Sequence, residues 1–184
     1  MKEAILEPLL RRLRIKRVLP TLKRYPGCRL LDIGCGWDAK FLRSVEPFIA
    51  HGCGMDFKAP SITTEKIHTL EITLDKTLPF KSESFDVITM LAVLEHLEHH
   101  VEVVEEAFRV LKPGGAAPSH RAKPVLEFLA YRLGIVSKEE IMDHKRYFGK
   151  EDLISLFKPV GFHAIFHRYF QFGMNNFLLA EKTI

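Results

Sequence analysis

The chain has 184 residues, 47% of them hydrophobic and 27% charged, which is enough for one well-buried core and too few for two comfortable domains. No apolar run approaches the roughly 18 residues a membrane helix needs, so an integral helical membrane protein is excluded, and the opening Met1-Lys2-Glu3-Ala4 lacks the features of a secretory leader. The net charge of +4 is uneven: residues 1–24 carry eight Lys/Arg against Glu3 and Glu7, a net of +6, whereas the rest of the chain has a net of −2.

In chain order, residues 4–24 read as a helix. Leu6, Leu9, Leu10 and Leu13 fall on one face with arginines opposite, and Pro20 is expected to bend or end it. Tyr25-Pro26-Gly27 breaks the chain before a short apolar strand, Cys28–Ile33, closed by Gly34-Cys35-Gly36. Helical spacing follows over 39–45. A second strand is expected from about Gly52 to Met55, ending in Asp56. Only Phe57 to Glu65 then precede a third strand, Lys66 to Leu74, and such a link is too short for an ordinary helical crossover. Phe85–Met90 is nearly continuously apolar, as a strand covered on both faces should be. Residues 94–111 carry a strong helical period stopped by Pro113-Gly114-Gly115. Further helices are expected from Pro124 to Leu133 and from Lys150 to Phe157. Residues 162–171 and 175–182 read as a closing antiparallel hairpin through Gly173. The alternation predicts a Rossmann-like, doubly wound, mainly parallel α/β sheet with that hairpin at its end.

In such a sheet a ligand sits beyond the carboxyl ends of the strands, where glycines let the backbone approach it. Gly34-x-Gly36-x-x-Ala39, with Asp56 placed 22 residues after Gly34, also satisfies a dinucleotide pattern. Asp32 weighs against that reading. A carboxylate at the end of the strand suits a cation, such as a sulfonium amino acid, better than a pyrophosphate.

Four motifs then stand in order: Leu30-Leu31-Asp32-Ile33-Gly34-Cys35-Gly36; Asp56 after strand two; Phe85 through Met90 and on through Leu91-Ala92-Val93-Leu94-Glu95-His96-Leu97; and Phe108-Arg109-Val110-Leu111-Lys112-Pro113-Gly114-Gly115. Together they resemble the class I S-adenosylmethionine-dependent methyltransferases, with the nearest look to the small-molecule branch of ubiquinone-type methyltransferases. The resemblance covers about residues 28–182. It implies S-adenosylmethionine as cofactor and methyl transfer to a small-molecule or lipid-like acceptor. By carry-over, Asp32, Gly34, Cys35 and Gly36 line the methionine end of the cofactor. Asp56, followed by Phe57, meets the ribose, Met90 and Leu91 border the cofactor, and Asp75 is the nearest carboxylate for the adenine amine. It also implies a division into an N-terminal basic helix or lid, 1–26, and a methyltransferase domain, 27–184.

The sequence departs from the family pattern in three places. Trp37-Asp38-Ala39 replaces a third glycine, the link after Asp56 omits most of a helix, and Ala116-Ala117 runs straight into Pro118. A shortened fifth strand is therefore expected, and it keeps open a degenerate, non-catalytic cofactor- or partner-binding module of the same fold. A nicotinamide-dependent oxidoreductase is the more distant alternative.

His96, at the mouth of the expected cleft, and His144, in Asp143-His144-Lys145-Arg146-Tyr147-Phe148, are the candidates for accepting a proton from an acceptor hydroxyl; a plain polar role at a helix start is the competing reading of His96. His96, His99 and His100 share one helical face, but no further ligand motif stands nearby, so exposed surface is expected rather than a metal site. Phe166, Tyr169, Phe170 and Phe172 read as hairpin packing. The three cysteines, Cys28, Cys35 and Cys53, show no CxxC spacing, so a reducing, cytoplasmic setting is expected. The basic N-terminal helix suits a lid with solvated charges or a peripheral contact with an anionic membrane through residues 1–24. Residues 1–24 hold no aromatic side chain to stack on bases, which argues against nucleic acid. The sequence leaves the oligomeric state open.

Overall fold

A computed structural model describes residues 7–122, 149–170 and 175–184. Its elements are α1 (Glu7–Arg24), β1 (Cys28–Ile33), α2 (Lys40–Val45), a short 3-10 turn (Glu46–Phe48), β2 (Ile49–Asp56), β3 (Ile67–Glu71), β4 (Phe85–Leu91), α3 (His100–Val110), β5 (Leu111–Ala122), α4 (Lys150–Phe157), β6 (Phe162–Phe170) and β7 (Asn175–Lys182). The strands form one sheet in the order β3-β2-β1-β4-β5-β7-β6. β1 to β5 pair in parallel, and β7 pairs antiparallel to both β5 and β6.

Side-chain alternation gives the central strands of the sheet two buried faces. On one face, Val18 and Leu22 of α1 and Leu42 and Val45 of α2 pack on Leu30, Val87, Leu91 and Phe177. On the other, Val103, Val104 and Val110 of α3 and Leu153 and Phe157 of α4 pack on Leu31, Ile33, Met55, Ile88, Met90, Ala117 and Leu178. Strand order reverses between β1 and β4, so the crevice at their carboxyl ends is the switch point where such sheets bind ligands.

The link from β2 to β3 has no helix. It folds back along the outer rim of β3, with the Thr64 amide donating to Ile67 O at 2.8 Å and the Thr69 amide to Ile62 O at 3.0 Å. Thr63 and His68 form an antiparallel bridge there. These bonds occupy an edge that would otherwise stay open to another strand.

The connection from β3 to β4 also lacks a helix and is held by side chains instead. Arg109 donates to Phe80 O at 2.9 Å and to Leu78 O at 3.2 Å, while Glu106 accepts the Leu78 amide at 2.8 Å. Away from the switch point, at the amino ends of the strands, a depression of about 260 Å³ is lined by residues including Arg29, His51, Cys53 and His68.

Several expected boundaries are corrected. α1 runs to Arg24, the end expected for it, and Pro20 lies inside the helix without ending it, with Thr21 and Leu22 buried just beyond. β2 begins three residues earlier than expected, at Ile49, and β3 stops at Glu71. α3 starts at His100 rather than near residue 94. The chain first makes tight turns, with the His96 amide donating to Val93 O at 3.0 Å and the Leu97 amide to Leu94 O at 3.4 Å. Only His100 of the three histidines is therefore helical, and the shared histidine face does not exist.

The largest correction concerns the fifth strand, which is not shortened: β5 spans 12 residues. Small side chains fill a position enclosed on both edges, where Ala116 pairs with Val87 of β4 and with Glu181 of β7. Pro118, which has no amide to give, lies between the β4 pairs Val87–Ala116 and Met90–Ser119. Pairing on two sides overrides the local preference that made Ala-Ala-Pro look like a strand end. The expected helix 124–133 and the segment 143–148, including His144, lie outside the described residues, as do Phe172 and Gly173.

Candidate cofactor site

The site grows from the last residues of β1. Alternation turns Leu31 and Ile33 toward α3, leaving Leu30 and Asp32 on the face of α1 and α2. Asp32 is 2% exposed, and the Thr89 hydroxyl on the neighbouring strand donates to its Oδ1 at 2.6 Å. Burial pushes the Asp32 carboxyl up to about 7; the Thr89 hydrogen bond opposes that rise and the Asp56 charge adds to it.

The turn after β1 docks on β2, with the amides of Gly34 and Cys35 both donating to Met55 O, at 2.8 and 3.0 Å. Gly34 has φ +79°, and a Cβ there would lie 2.6 Å from Cβ of Val93, so the turn packs directly on the chain leaving β4. Gly36 has φ +72°, and a Cβ on it would meet nothing within 4 Å. One glycine is required by packing and the other faces open space.

Asp56, the last residue of β2, closes the arrangement. Its Oδ2 accepts the Gly36 amide at 3.0 Å and its Oδ1 accepts the Lys58 amide at 3.1 Å. Two backbone donors hold the carboxylate beside the glycine turn and leave lone pairs for further hydroxyl donors. The Lys58 ammonium lies 5.2 Å from the Trp37 ring centroid and 5.3 Å from that of Phe57, so the two exposed rings share one cation at this rim.

Residues 31–117 match the family model described as a methyltransferase domain. Over 98 residues the chain is 33% identical to a ubiquinone biosynthesis O-methyltransferase of Hahella chejuensis, an alignment covering 48% of this chain and 41% of that protein. Over 112 residues it is 29% identical to a demethylmenaquinone methyltransferase of Listeria monocytogenes, covering 54% and 47% of the two chains. The matched segment thus spans under half the length of either curated relative. The crystal structure of the YcgJ protein from Bacillus subtilis superposes with a TM-score of 0.70 at 16% identity, covering 94% of this chain and 99% of that one.

Residues 31–117, just under half of the chain, are thus similar to a methyltransferase domain, and the fold is shared with the YcgJ protein. S-adenosylmethionine is the cofactor this domain implies, and the donor set fits it. A buried carboxylate suits a cationic amino-acid end, a carboxylate held by backbone amides suits vicinal hydroxyls, and the open space over Gly36 lets a ligand reach bare backbone.

The fold brings Asp32, Gly34, Gly36, Asp56 and Leu91 to the same end of the sheet. Phe57 stands at its rim, 56% exposed. The Cys35 amide holds the turn on Met55 O, while its thiol is buried and pushed well above the ordinary range, chiefly by burial and then by the Asp32 and Asp56 charges. Met90 turns its side chain into the core on the α3 side, so only its backbone reaches the crevice. Asp75 lies four residues beyond the end of β3, with its side chain 73% exposed and 3.6 Å from His99 Nε2. His96 is half-buried in the turn after β4.

Two features escaped the sequence reading. Thr89 is a buried hydroxyl within the apolar run Val87–Leu91, and that mismatch was its available signal. The Trp37–Lys58–Phe57 group joins residues on separate loops, which spacing alone does not reveal. Among the described residues no cluster of three or more His, Cys, Asp or Glu is arranged to hold a metal ion, and no helix is long and apolar enough to cross a membrane.

Proposed function

We propose that this chain uses S-adenosylmethionine to methylate a hydroxyl of a small, quinol- or phenol-like acceptor, including lipid-like ones. The observation that carries the reading is the buried Asp32 carboxylate, held by Thr89 beside the open backbone of Gly36. When bound, the cofactor supplies an electrophilic methyl group on a cationic sulfur. Asp32 would hold its cationic amino-acid end and Asp56 its ribose hydroxyls, with Leu91 walling the crevice. The protein's share of the work is orientation, which for well-placed reactants is worth effective molarities on the order of 10⁵ M or more. His96 and His144 stay in the reading as candidates for taking the acceptor's proton, one in the β4 exit turn and one outside the described residues.

The acceptor class draws on relatives named for ubiquinone biosynthesis and demethylmenaquinone methylation. Residues 1–26 serve in this reading as a lid. Exposed Arg12, Lys16 and Lys23 on α1 supply attraction to an anionic membrane surface, where a lipid-like acceptor resides. The free cysteines Cys28, Cys35 and Cys53 accord with a cytoplasmic setting. The 12-residue β5 removes one ground for a degenerate, non-catalytic module, the missing fifth strand, and leaves the basic helix as the other.

Calorimetry with S-adenosylmethionine, S-adenosylhomocysteine and NAD tests the cofactor, and methyl label counted in a panel of hydroxylated quinols and catechols tests the acceptor. Tight NAD binding with no response to the sulfonium overturns the reading, and binding without product across the panel overturns its acceptor half.

A further inference from the structure

Beyond Asp32, Thr89 and Asp56, a further buried polar side chain occupies the same face at the same end of the sheet. His120 is 4% exposed near the end of β5, where it pairs with Leu91, the last residue of β4, and with Phe177 of β7. Its phase follows from its neighbours. Ala117 and Leu178 belong to the core on the α3 side, whereas Leu91 and Phe177 belong to the core under α1 and α2. Ser119 shares the phase of Ala117 and donates to Met90 O at 3.1 Å, so His120 falls on the α1–α2 face with Asp32, Thr89 and Asp56.

The placement sets a scale. β5 is two strands from β1, roughly 10 Å, and Leu91 lies two residues beyond Thr89, roughly 7 Å farther along. His120 thus stands on the order of 12 Å from Asp32, backbone to backbone, on the side of the crevice away from Asp56. That span leaves room for one small ring between a group held at Asp32 and the imidazole. The local backbone is fixed there as well. Ala92 is a non-glycine residue at φ +57°, and its amide donates to His120 O at 2.9 Å, which pins the chain leaving β4 to this position. Strained backbone of this kind persists where surrounding structure holds it, often beside functional sites. An imidazole set between Leu91 and Phe177 also costs desolvation that an apolar residue would avoid.

We propose that His120 faces the acceptor and takes the proton of the hydroxyl to be methylated. The acceptor's O–H bond breaks, oxygen keeps the electron pair as phenolate, and the proton passes to an imidazole nitrogen, giving an imidazolium. The described charged side chains at this end of the sheet include the carboxylates Asp32 on β1, Asp56 on β2 and Glu95 in the β4 exit, which favour that imidazolium, and the cations Lys58 after β2 and Arg168 on β6, which oppose it. The assignment rests on the hydroxyl-acceptor reading above.

The test uses the full chain with S-adenosylhomocysteine and 4-nitrocatechol, a phenol whose neutral and ionised forms differ in visible absorption. Below the pH at which the free probe ionises, the native protein should bind it with the phenolate band. His120→Gln should lose that band and bind at least tenfold more weakly, with unchanged S-adenosylhomocysteine affinity. A band that persists in H120Q overturns the role of His120 and leaves the acceptor reading standing, as does methylation of the catechol panel without any band in the native protein. A native protein that neither binds nor methylates any hydroxyl probe overturns both. Should H120Q fail to fold, ring ¹⁵N shifts of the native protein decide: probe binding must move one histidine to imidazolium values, and unmoved shifts overturn the proposal.

Discussion

The Thr89 hydroxyl donates to Asp32 Oδ1 at 2.6 Å, joining the two strands that flank the switch point of the sheet. A hydrogen bond to a buried carboxylate is worth about 1.5–3 kcal/mol, and here it favours the ionised form. Thr89→Val should push the Asp32 carboxyl higher still and weaken S-adenosylmethionine binding by about tenfold or more at pH 7, whereas Thr89→Ser should retain most of the affinity. Calorimetry on the two variants checks this.

Asp32 also sets a pH dependence. Its carboxyl is raised from the ordinary 3.8 to about 7, so between those values the folded chain holds a proton that the unfolded chain has lost. This contribution to stability is fully present below the unfolded value and disappears as pH rises through the folded one. The stability of the native protein relative to Asp32→Asn should therefore fall from pH 4 to pH 8, as read by denaturant unfolding. Binding a cationic ligand should expel the proton. Below pH 7, affinity for S-adenosylmethionine should fall by up to about tenfold per pH unit, with proton release visible when titrations are repeated in buffers of different ionisation enthalpy.

The two glycines of the turn should separate folding from binding. Gly34→Ala places a Cβ 2.6 Å from Val93 at φ +79°, and overpacking plus left-handed strain should cost about 2–4 kcal/mol. Gly36→Ala meets no atom within 4 Å, so only the strain at φ +72° applies, about 1–2 kcal/mol. Its Cβ would stand where the ligand must approach, and S-adenosylhomocysteine affinity should drop at least tenfold in a folded protein. Thermal unfolding and calorimetry on the pair provide the readings.

Arg109 replaces a missing helix with hydrogen bonds. Arg109→Ala should cost about 1–2 kcal/mol, because the carbonyls of Leu78 and Phe80 lose a charged donor. Hydrogen exchange over residues 78–84 should quicken while protection in β1 and β2 is unchanged.

What the sequence made legible follows from where local signals and tertiary packing agree. The strands Cys28–Ile33 and Phe85–Met90 and the helix Lys150–Phe157 announce themselves because their own side chains supply the pattern that burial requires. The glycine turn and Asp56 were equally readable, since a bare backbone followed by a carboxylate at that spacing has few other uses. β5 was not, because Ala116, Ala117 and Pro118 have poor strand propensity and pair only through partners distant in sequence, at Val87 and Leu179. The start of α3 was missed for the opposite reason. Leu94 and Leu97 continue the helical period of 101–111, yet they lie in turns that leave β4, so periodicity recorded packing against the core rather than helix.

The turn between Gly36 and Ala39 contains the chain's single tryptophan, Trp37, 47% exposed and facing the Lys58 ammonium. Its emission therefore reports on one rim alone, with no other indole to dilute the signal. A ligand settling beside Asp56 would disturb the ammonium above that ring, which makes the protein its own fluorescent indicator of occupancy.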